Sequence, residues 1–260
     1  MGTPFLEIGR DGQVAVVRLN RPERKNALSM DLIAQLHEAA RELRDDTGTT
    51  AVVLCGGSEY FTAGVDLADP AFAGFMNQST DEQRRIMAAA PRMCEAWERL
   101  EQLTICAIEG FCVGGGVTLA SSLDLRVMAR SAWIRAPEID YGMNMSWGTL
   151  PRLVHLVGSA RTKELIILAR RVGAPECREW GFAQHLADDG HAEAVAMEIA
   201  QKAAEKPRHA VAMCKETVNA LATAHDRMAS HMDRDQFLYS VSTPEFAERV
   251  TAFLEGKKPE

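Results

Sequence analysis

The 260-residue sequence lacks the usual signatures of metal and nucleophile chemistry. Its six cysteines form no Cys-x-x-Cys pair and have no histidine cluster beside them, so a zinc site is disfavoured. Their apolar surroundings favour buried free thiols in a reducing compartment. No Gly-x-Ser-x-Gly, phosphate-loop lysine or His-Glu-x-x-His pattern occurs. We therefore expect no metal and no permanently bound cofactor.

Long apolar runs and excess positive charge are also missing. No run is long enough to span a bilayer, and the first residues lack the basic-then-apolar order of a secretory signal. The formal net charge of −7 argues against a general nucleic-acid surface. We expect a cytoplasmic protein that binds neither membrane nor nucleic acid.

Short apolar runs alternate with amphipathic stretches in the first three quarters of the chain, which predicts an α/β architecture of repeated ββα turns. Strands are expected at 13–19, 51–55, 105–108, 124–129 and 132–135, with helices at 30–43 and 81–103. The later sequence is nearly all helical in pattern, with helices at 162–171, 175–182, 191–205, 207–223, 226–239 and 244–255. The pattern divides the chain into a core at 1–195 and a helical region at 196–260.

A run of three glycines, Gly114 to Gly116, is followed by a sequence typical of a helix start. Glycines let the backbone approach a ligand closely, and a helix N-terminus adds bare N–H groups and partial positive charge. This arrangement suits an oxygen that becomes negative during a reaction. Glu138 follows Pro137 on a predicted loop, where a carboxylate in an apolar pocket can move protons. Together these features predict an enzyme that forms an enolate without a metal.

Four local patterns stand in a fixed order along the chain, and together they resemble the crotonase family, the enoyl-CoA hydratase/isomerase group. They lie at 21–28, 60–67, 110–119 and 137–153. The resemblance covers the whole chain, and the segment from Glu138 to Leu150 is also similar to the dienoyl-CoA isomerase branch. It implies a stacked ββα spiral with a C-terminal helical trimerisation region, present as a homotrimer or a dimer of trimers.

The same resemblance implies an acyl-CoA thioester as substrate, with coenzyme A entering as part of that substrate. The backbone N–H groups of Val65 and Gly115 would hold the thioester oxygen while the enolate forms. Backbone donors do not depend on side-chain identity, so an apolar Val65 can serve.

The loop that carries Arg21, Arg24 and Lys25 is placed by the resemblance against the coenzyme A phosphates and pantetheine arm, although a solvated turn is the alternative. Lys257 or Lys258 could reach a neighbouring subunit's coenzyme A. The residues expected to bind the acyl-CoA are Lys25, Ala27, Ala63, Val65, Asp66, Leu67, Ala68, Gly114, Gly115 and Pro137. Of these, residues 65–68 are expected to meet the adenine edge through backbone groups.

The site departs from its relatives at Thr118. Hydratases of the family carry a first glutamate there and a second in the Pro-Glu pattern, and only the second is present, as Glu138. The dienoyl-CoA isomerase branch uses aspartates where this chain has Thr118 and Ser146. A threonine hydroxyl can hydrogen-bond a water but cannot act as a base near neutral pH. A single carboxylate therefore favours double-bond isomerisation over hydration, with Asp140 a weaker candidate.

Two other readings stay open at this stage. A related thioester hydrolase or C–C lyase would need a water-activating or nucleophilic group at Ser146, Thr118 or Asp140. A catalytically weak acyl-CoA-binding paralogue is permitted by the loss of the first glutamate, although Glu138 argues against it. Apolar residues that could line an acyl pocket, or equally be core, are Phe72, Phe75, Met76, Met143, Met145 and Trp147.

Overall fold

The computed structural model describes residues 4–72 and 74–256, and a six-stranded sheet lies at its centre. The strands of the chain are β1 (Leu6–Asp11), β2 (Val14–Leu19), β3 (Ala51–Cys55), β4 (Leu103–Ile108), β5 (Phe111–Val113), β6 (Leu125–Ala129), β7 (Trp133–Arg135), β8 (Val172–Gly173) and β9 (His185–Ala187). The large sheet has the order β1-β2-β3-β4-β6-β9, antiparallel between β1 and β2 and parallel elsewhere. A three-stranded sheet has the order β5-β7-β8.

The helices cover both sheets and form the later part of the chain. They are α1 (Met30–Asp45), α2 (Thr80–Met87), α3 (Ala89–Glu98), α4 (Gly115–Ser121), α5 (Thr149–Ile167), α6 (Ala174–Trp180), α7 (Ala192–Ala204), α8 (Arg208–Ala222), α9 (Asp226–Ala229), α10 (Asp233–Val241) and α11 (Pro244–Leu254). Short 3₁₀ turns lie at Pro22–Arg24, Pro70–Phe72, Phe75–Asn77 and Glu138–Tyr141.

Two successive ββα units build the spiral. In β4–β5–α4 and in β6–β7–α5, the first strand joins the large sheet and the second joins the small sheet. Strand β3 is buried along its whole length, as expected for a parallel strand covered on both faces. The predicted ββα repeat is therefore present, and it brings the ends of β5 and β7 next to each other, where the glycine run and Glu138 follow.

Several predicted helix boundaries were wrong. The helix predicted at 81–103 is two helices, α2 and α3, which break at Ala88 and end at Glu98. Pro91 lacks an N–H group and is tolerated because it lies in the first turn of α3. The helix predicted at 162–171 belongs to a longer α5 that is kinked at Gly158, where φ is 81°. The helix predicted at 226–239 is interrupted between α9 and α10.

Strands β1, β5, β8 and β9 were missed by the sequence prediction. Three of them have only two or three residues, too few for a periodic pattern to appear. Each of the four is stabilised by hydrogen bonding to a neighbouring strand of its sheet rather than by its own strand propensity.

The last two helices return to the spiral instead of extending away from it. Helix α10 packs on α2, where Arg84 pairs with Asp235, and α11 packs on the 3₁₀ turn Glu138–Tyr141. The predicted boundary at residue 195 lies inside α7, which packs on the large sheet. The division into two domains stays a prediction. No helix in the described part of the chain has both the length and the apolar character needed to cross a membrane.

A buried arginine joins the end of α4 to the chain before β9. Arg126 is 1% exposed and donates to the carbonyl oxygens of Ala120, Leu123 and Phe182. Burial lowers its pKa to about 10, so the side chain stays charged at neutral pH. Its loss would remove the donor that the structure shows for the carbonyls of Leu123 and Phe182, while Ala120 O would keep its bond from the Leu123 N–H.

We expect Arg126→Met to lower the free energy of unfolding by about 3–5 kcal/mol, because buried acceptors lose a charged partner. The measurement is urea unfolding followed by circular dichroism. Arg41→Met is the matched control: Arg41 forms an exposed pair with Glu38 on α1, and its replacement should cost under about 0.5 kcal/mol. Equal losses in the two variants would contradict this account of the buried arginine.

Candidate active site

A cavity of about 570 Å³ lies between the end of β5, the loop at 63–69 and the last two helices. The turn from β5 into α4 forms one wall. Gly114 has φ 53° and ψ −121°, and its N–H donates to the carbonyl of Arg135 at 2.8 Å, which ties the turn to β7. A Cβ at Gly114 would lie 2.8 Å from Glu138 Oε1. Only glycine fits this position, so the carboxylate and the turn are in direct contact.

The two residues that are expected to supply the oxyanion donors are in contact through the Val65 side chain. A Cβ at Gly115 would lie 3.1 Å from Val65 Cγ2. Val65 forms a parallel bridge to Leu28, whose hydrogen bonds run to Gly64 O and Asp66 N. Gly115 is the first residue of α4, where N–H groups have no partner within the helix. Within the described residues, neither the Val65 nor the Gly115 N–H donates to a protein acceptor.

Glu138 begins the 3₁₀ turn after β7 and faces the same cavity. Burial raises the pKa of its carboxyl to about 7, and the nearby Asp140 adds a smaller increase. Its Oε2 is buried and has no hydrogen-bond partner within the described residues. A carboxyl that titrates near neutrality and keeps one oxygen free can both accept and return a proton.

Thr118 lies one turn into α4, is 1% exposed, and lines the cavity. Its Oγ1 is 2.7 Å from Thr149 Oγ1. Since Thr149 donates its only hydroxyl proton to Ser146 O, the Thr118 hydroxyl must donate to Thr149. This direction leaves Thr118 Oγ1 with acceptor capacity only, facing the cavity.

A strained turn places the Trp147 ring against the glycines. A Cβ at Gly115 would lie 2.8 Å from Trp147 Cζ3, and Trp147 has φ 63°, a left-handed conformation that is rare for a bulky residue. Arg152 holds the turn by donating to Trp147 O at 2.9 Å while it pairs with Glu98 at 2.8 Å. Asp233 of α10 accepts from the Gly148 N–H at 2.8 Å.

The predicted loop arginines bind a protein carboxylate. Arg21 and Arg24 lie 2.7 and 3.0 Å from the two oxygens of Asp66, which is 5% exposed. These ion pairs hold the pKa of Asp66 below its usual range, against the opposing effect of burial. The Asp66 carboxylate also accepts from the Ala68 N–H, and the Asp66 N–H donates to Leu28 O. The backbone groups of this loop are therefore partly occupied by the protein itself.

Most of the predicted site residues line one cavity. These are Ala63, Val65, Leu67, Ala68, Gly114, Gly115, Thr118, Pro137 and Glu138. Lys25, Ala27 and Asp66 are not among the lining residues; Lys25 is exposed, and Ala27 and Asp66 are buried. Asp140 also lies outside the lining and pairs with Arg135 at 2.8 Å. The expectation for Lys257 and Lys258 lies outside the described residues.

Comparison with known proteins shows the family and the fold of the chain. A family model described as enoyl-CoA hydratase/isomerase matches residues 9–260. The chain belongs to the enoyl-CoA hydratase/isomerase family. It is 30% identical to a short-chain-enoyl-CoA hydratase of Clostridium acetobutylicum, over 96% of this chain and 95% of that protein. It is 31% identical to a crotonyl-CoA hydratase of Syntrophomonas wolfei, over 96% of this chain and 94% of that protein.

A solved enoyl-CoA hydratase/isomerase from Pseudoalteromonas atlantica matches this chain with a TM-score of 0.87 and 26% identity, covering 98% of this chain and 99% of that one. An enoyl-CoA hydratase from Bacillus anthracis matches with a TM-score of 0.78 and 28% identity, over 98% of each chain. The predicted family and the mixed α/β crotonase-like fold with C-terminal helices are confirmed. The predicted trimer stays a prediction.

The sequence prediction missed the wall of the cavity that the last two helices, α10 and α11, form. Its lining there consists of Phe237, Val241, Phe246, Val250, Phe253 and Leu254. The signal was present on α11, where Phe246, Val250 and Phe253 recur at helical spacing and form an apolar stripe. Of the predicted acyl-pocket residues, Phe75, Met76, Met143, Met145 and Trp147 line the cavity, and the side chain of Phe72 is not described.

The raised pKa of Glu138 predicts a pH-dependent cost to stability. Between the usual glutamate pKa of 4.5 and about 7, the folded protein keeps a proton that the unfolded chain releases, so the free energy of unfolding falls as pH rises. Glu138→Gln removes this cost. We expect it to be more stable than the parent by about 2–3 kcal/mol at pH 8, with little difference at pH 4.5.

Urea unfolding at several pH values measures this difference. Glu216→Gln is the control, because Glu216 is exposed on α8 and its replacement should have no such pH dependence. A difference between Glu138→Gln and the parent that stays constant from pH 4.5 to 8 would show that the carboxyl titrates normally.

Proposed function

We propose that the protein forms an enolate from an enoyl-CoA thioester and moves its double bond from the 3,4 to the 2,3 position. Glu138 is the acid and base, and the N–H groups of Val65 and Gly115 hold the thioester oxygen. The observation that carries the proposal is the buried Glu138 carboxyl, with one unpartnered oxygen, in contact with the Gly114–Gly115 turn of an apolar cavity.

The proton balance needs a single carboxyl group. Glu138 removes a proton from C2 of a 3-enoyl-CoA, and the electron pair passes into the enolate. The same proton returns to C4 while the double bond forms between C2 and C3. A pKa near 7 suits both halves of this cycle. Each oxyanion donor contributes on the order of 3–4 kcal/mol to an otherwise very difficult proton removal.

The lining of the cavity supports a single-carboxylate mechanism. Among the described lining residues, the only carboxylates are Glu138 and Asp69. Asp69 accepts from the backbone N–H groups of Met30 and Ala71 at 2.7 and 2.9 Å, so its oxygens are already engaged in the loop before α2. The Trp147 ring packed on Gly115 supports a dry site, since it takes space beside the proposed donors.

Hydration of a 2-enoyl-CoA is the second candidate, because the relatives of this chain are named as hydratases. In that reaction, Thr118 Oγ1 would accept a hydrogen bond from the attacking water. Glu138 would have to serve as both the acid and the base. This arrangement lacks the second carboxylate that holds the water in two-glutamate relatives. Hydration is therefore expected to be the slower reaction.

The coenzyme A contacts and the assembly belong to the same proposal. The loop around Lys25 and Ala27 receives the phosphates and the pantetheine arm, residues 65–68 receive the adenine, and the protein acts as a homotrimer or a dimer of trimers. Exposed apolar side chains in the helical region support such an assembly: Met213, Val218, Leu221, Met228 and Tyr239.

A substrate panel tests the reaction. We expect fast conversion of 3-enoyl-CoA, slower hydration of 2-enoyl-CoA, and loss of at least 100-fold in kcat for the former in Glu138→Gln, because general acid–base catalysis contributes about 10²–10⁴-fold. Conversion is followed by absorbance of the conjugated thioester. Glu216→Gln, exposed on α8 and outside the cavity lining, is the control and should keep parental activity. Parental rates in Glu138→Gln would remove this residue from the mechanism.

Thr118→Glu tests whether the missing carboxylate sets the specificity. We expect hydration of 2-enoyl-CoA to rise at least tenfold relative to 3-enoyl isomerisation, since a second acceptor can hold and activate the water. Thr118→Gln is the control. A glutamine has nearly the same shape as a glutamate but carries no charge, so this variant should not show the change. Product ratios measured by liquid chromatography decide the outcome, and equal ratios in the two variants would contradict the account.

A further inference from the structure

We propose that the acyl group of the substrate is an unsubstituted hydrocarbon chain of about eight carbons or more, whose far end lies between α2, α10 and α11. This inference rests on the proposed function in placing the thioester at Gly115. It adds the substrate class, which the oxyanion and acid–base residues do not determine.

The far end of the cavity is a small apolar core of its own. Phe75, Met143 and Val241 are buried there, and Phe237 and Phe246 pack on them from α10 and α11. This cluster is separate from the main core between the sheets. It is built by elements from three distant parts of the chain around space that belongs to the cavity.

The position of the charges excludes an ionic or strongly polar acyl tail. No lysine or arginine is among the described lining residues, so the far end offers no partner for a second carboxylate. Asn144 makes hydrogen bonds to Gln236 and Ser240, and the Tyr141 ring packs edge-on against Phe253 at 5.2 Å. A second carboxylate would lose its water without gaining a cationic partner among these residues, which is unfavourable.

The size of the cavity excludes a short chain as the best ligand. A water molecule takes about 30 Å³ of liquid volume, and a methylene group is of similar size, so a four-carbon acyl group fills only about 120 Å³. The cavity measures about 570 Å³. The thioester and the pantetheine arm take part of it, and we assign the space between α2, α10 and α11 to the methylenes of a longer chain because its lining is the apolar cluster described above. Unfilled apolar space forfeits packing contacts, so a longer chain binds more tightly.

Calorimetric binding of saturated acyl-CoAs to the full-length protein tests the proposal. From butanoyl- to dodecanoyl-CoA, Kd should fall about fourfold for each added methylene until the far end is filled, as expected for burial of a methylene group. Glutaryl-CoA, which ends in a carboxylate, should bind no better than butanoyl-CoA. A flat dependence on chain length, or tighter binding of glutaryl-CoA, would overturn the proposal.

Two variants locate the tail. Val241→Trp fills the far end and should weaken dodecanoyl-CoA binding at least tenfold while butanoyl-CoA binding stays unchanged. Phe246→Ala enlarges the same space and should move the chain-length limit to longer chains, which keeps the test decisive if the first variant fails to fold. Ile167→Trp, at an exposed position near the end of α5 and outside the cavity lining, is the control and should leave the series unchanged. An unchanged series in both site variants would place the tail elsewhere.

The saturated ligands have no double bond, so this test is separate from the reaction. Chain-length-dependent binding without turnover of any enoyl-CoA would overturn the proposed function and leave the acyl class intact. Fast 3-enoyl isomerisation without chain-length-dependent binding would support the proposed function and overturn the assignment of the acyl class.

Discussion

The site depends on a close approach between backbones that leaves no room for a Cβ atom. A Cβ at Gly64 would lie 2.7 Å from Val113 O, and one at Gly116 would lie 2.3 Å from the Thr62 methyl. The loop before Val65 is therefore pressed against the turn into α4. Because the same turn also contacts Glu138 and Trp147, a side chain at any of these glycines would move several parts of the site together. Backbone donors gain fixed positions from this packing, and preorganised donors are the effective ones in oxyanion stabilisation.

The residues of the site could be predicted from the sequence because they belong to short local sequence patterns. Three successive glycines and a glutamate after a proline are short patterns that are visible in the sequence without knowledge of distant contacts, and the order of such patterns along the chain identified the family. Contacts between distant residues had no such signal. The Asp66 carboxylate pairs with Arg21 and Arg24, and Arg152, which pairs with Glu98 on α3, donates to the carbonyl of the Trp147 turn. The helix breaks at Ala88 and between α9 and α10 were missed because tertiary packing, not propensity, sets them.

The direction of one hydroxyl bears on what this site can do with water. Thr118 occupies a helix position that faces the cavity, yet its proton is used by Thr149. The remaining lone pair can orient a water molecule but cannot take its proton. Proton transfer then depends on Glu138, whose pKa burial raises to about 7. Burial raises that pKa, and it also lowers the free energy of unfolding when the carboxyl ionises. Such a loss of stability in favour of activity is common at functional sites.

The return of α10 and α11 has a consequence for synthesis. Strands β1 to β9 precede residue 188, whereas the far wall of the cavity extends to Leu254. During translation the N-terminal part of a chain folds first. The sheets and the glycine turn can therefore form while the cavity still lacks the wall that α10 and α11 build. The cavity is complete only after the last helix has left the ribosome.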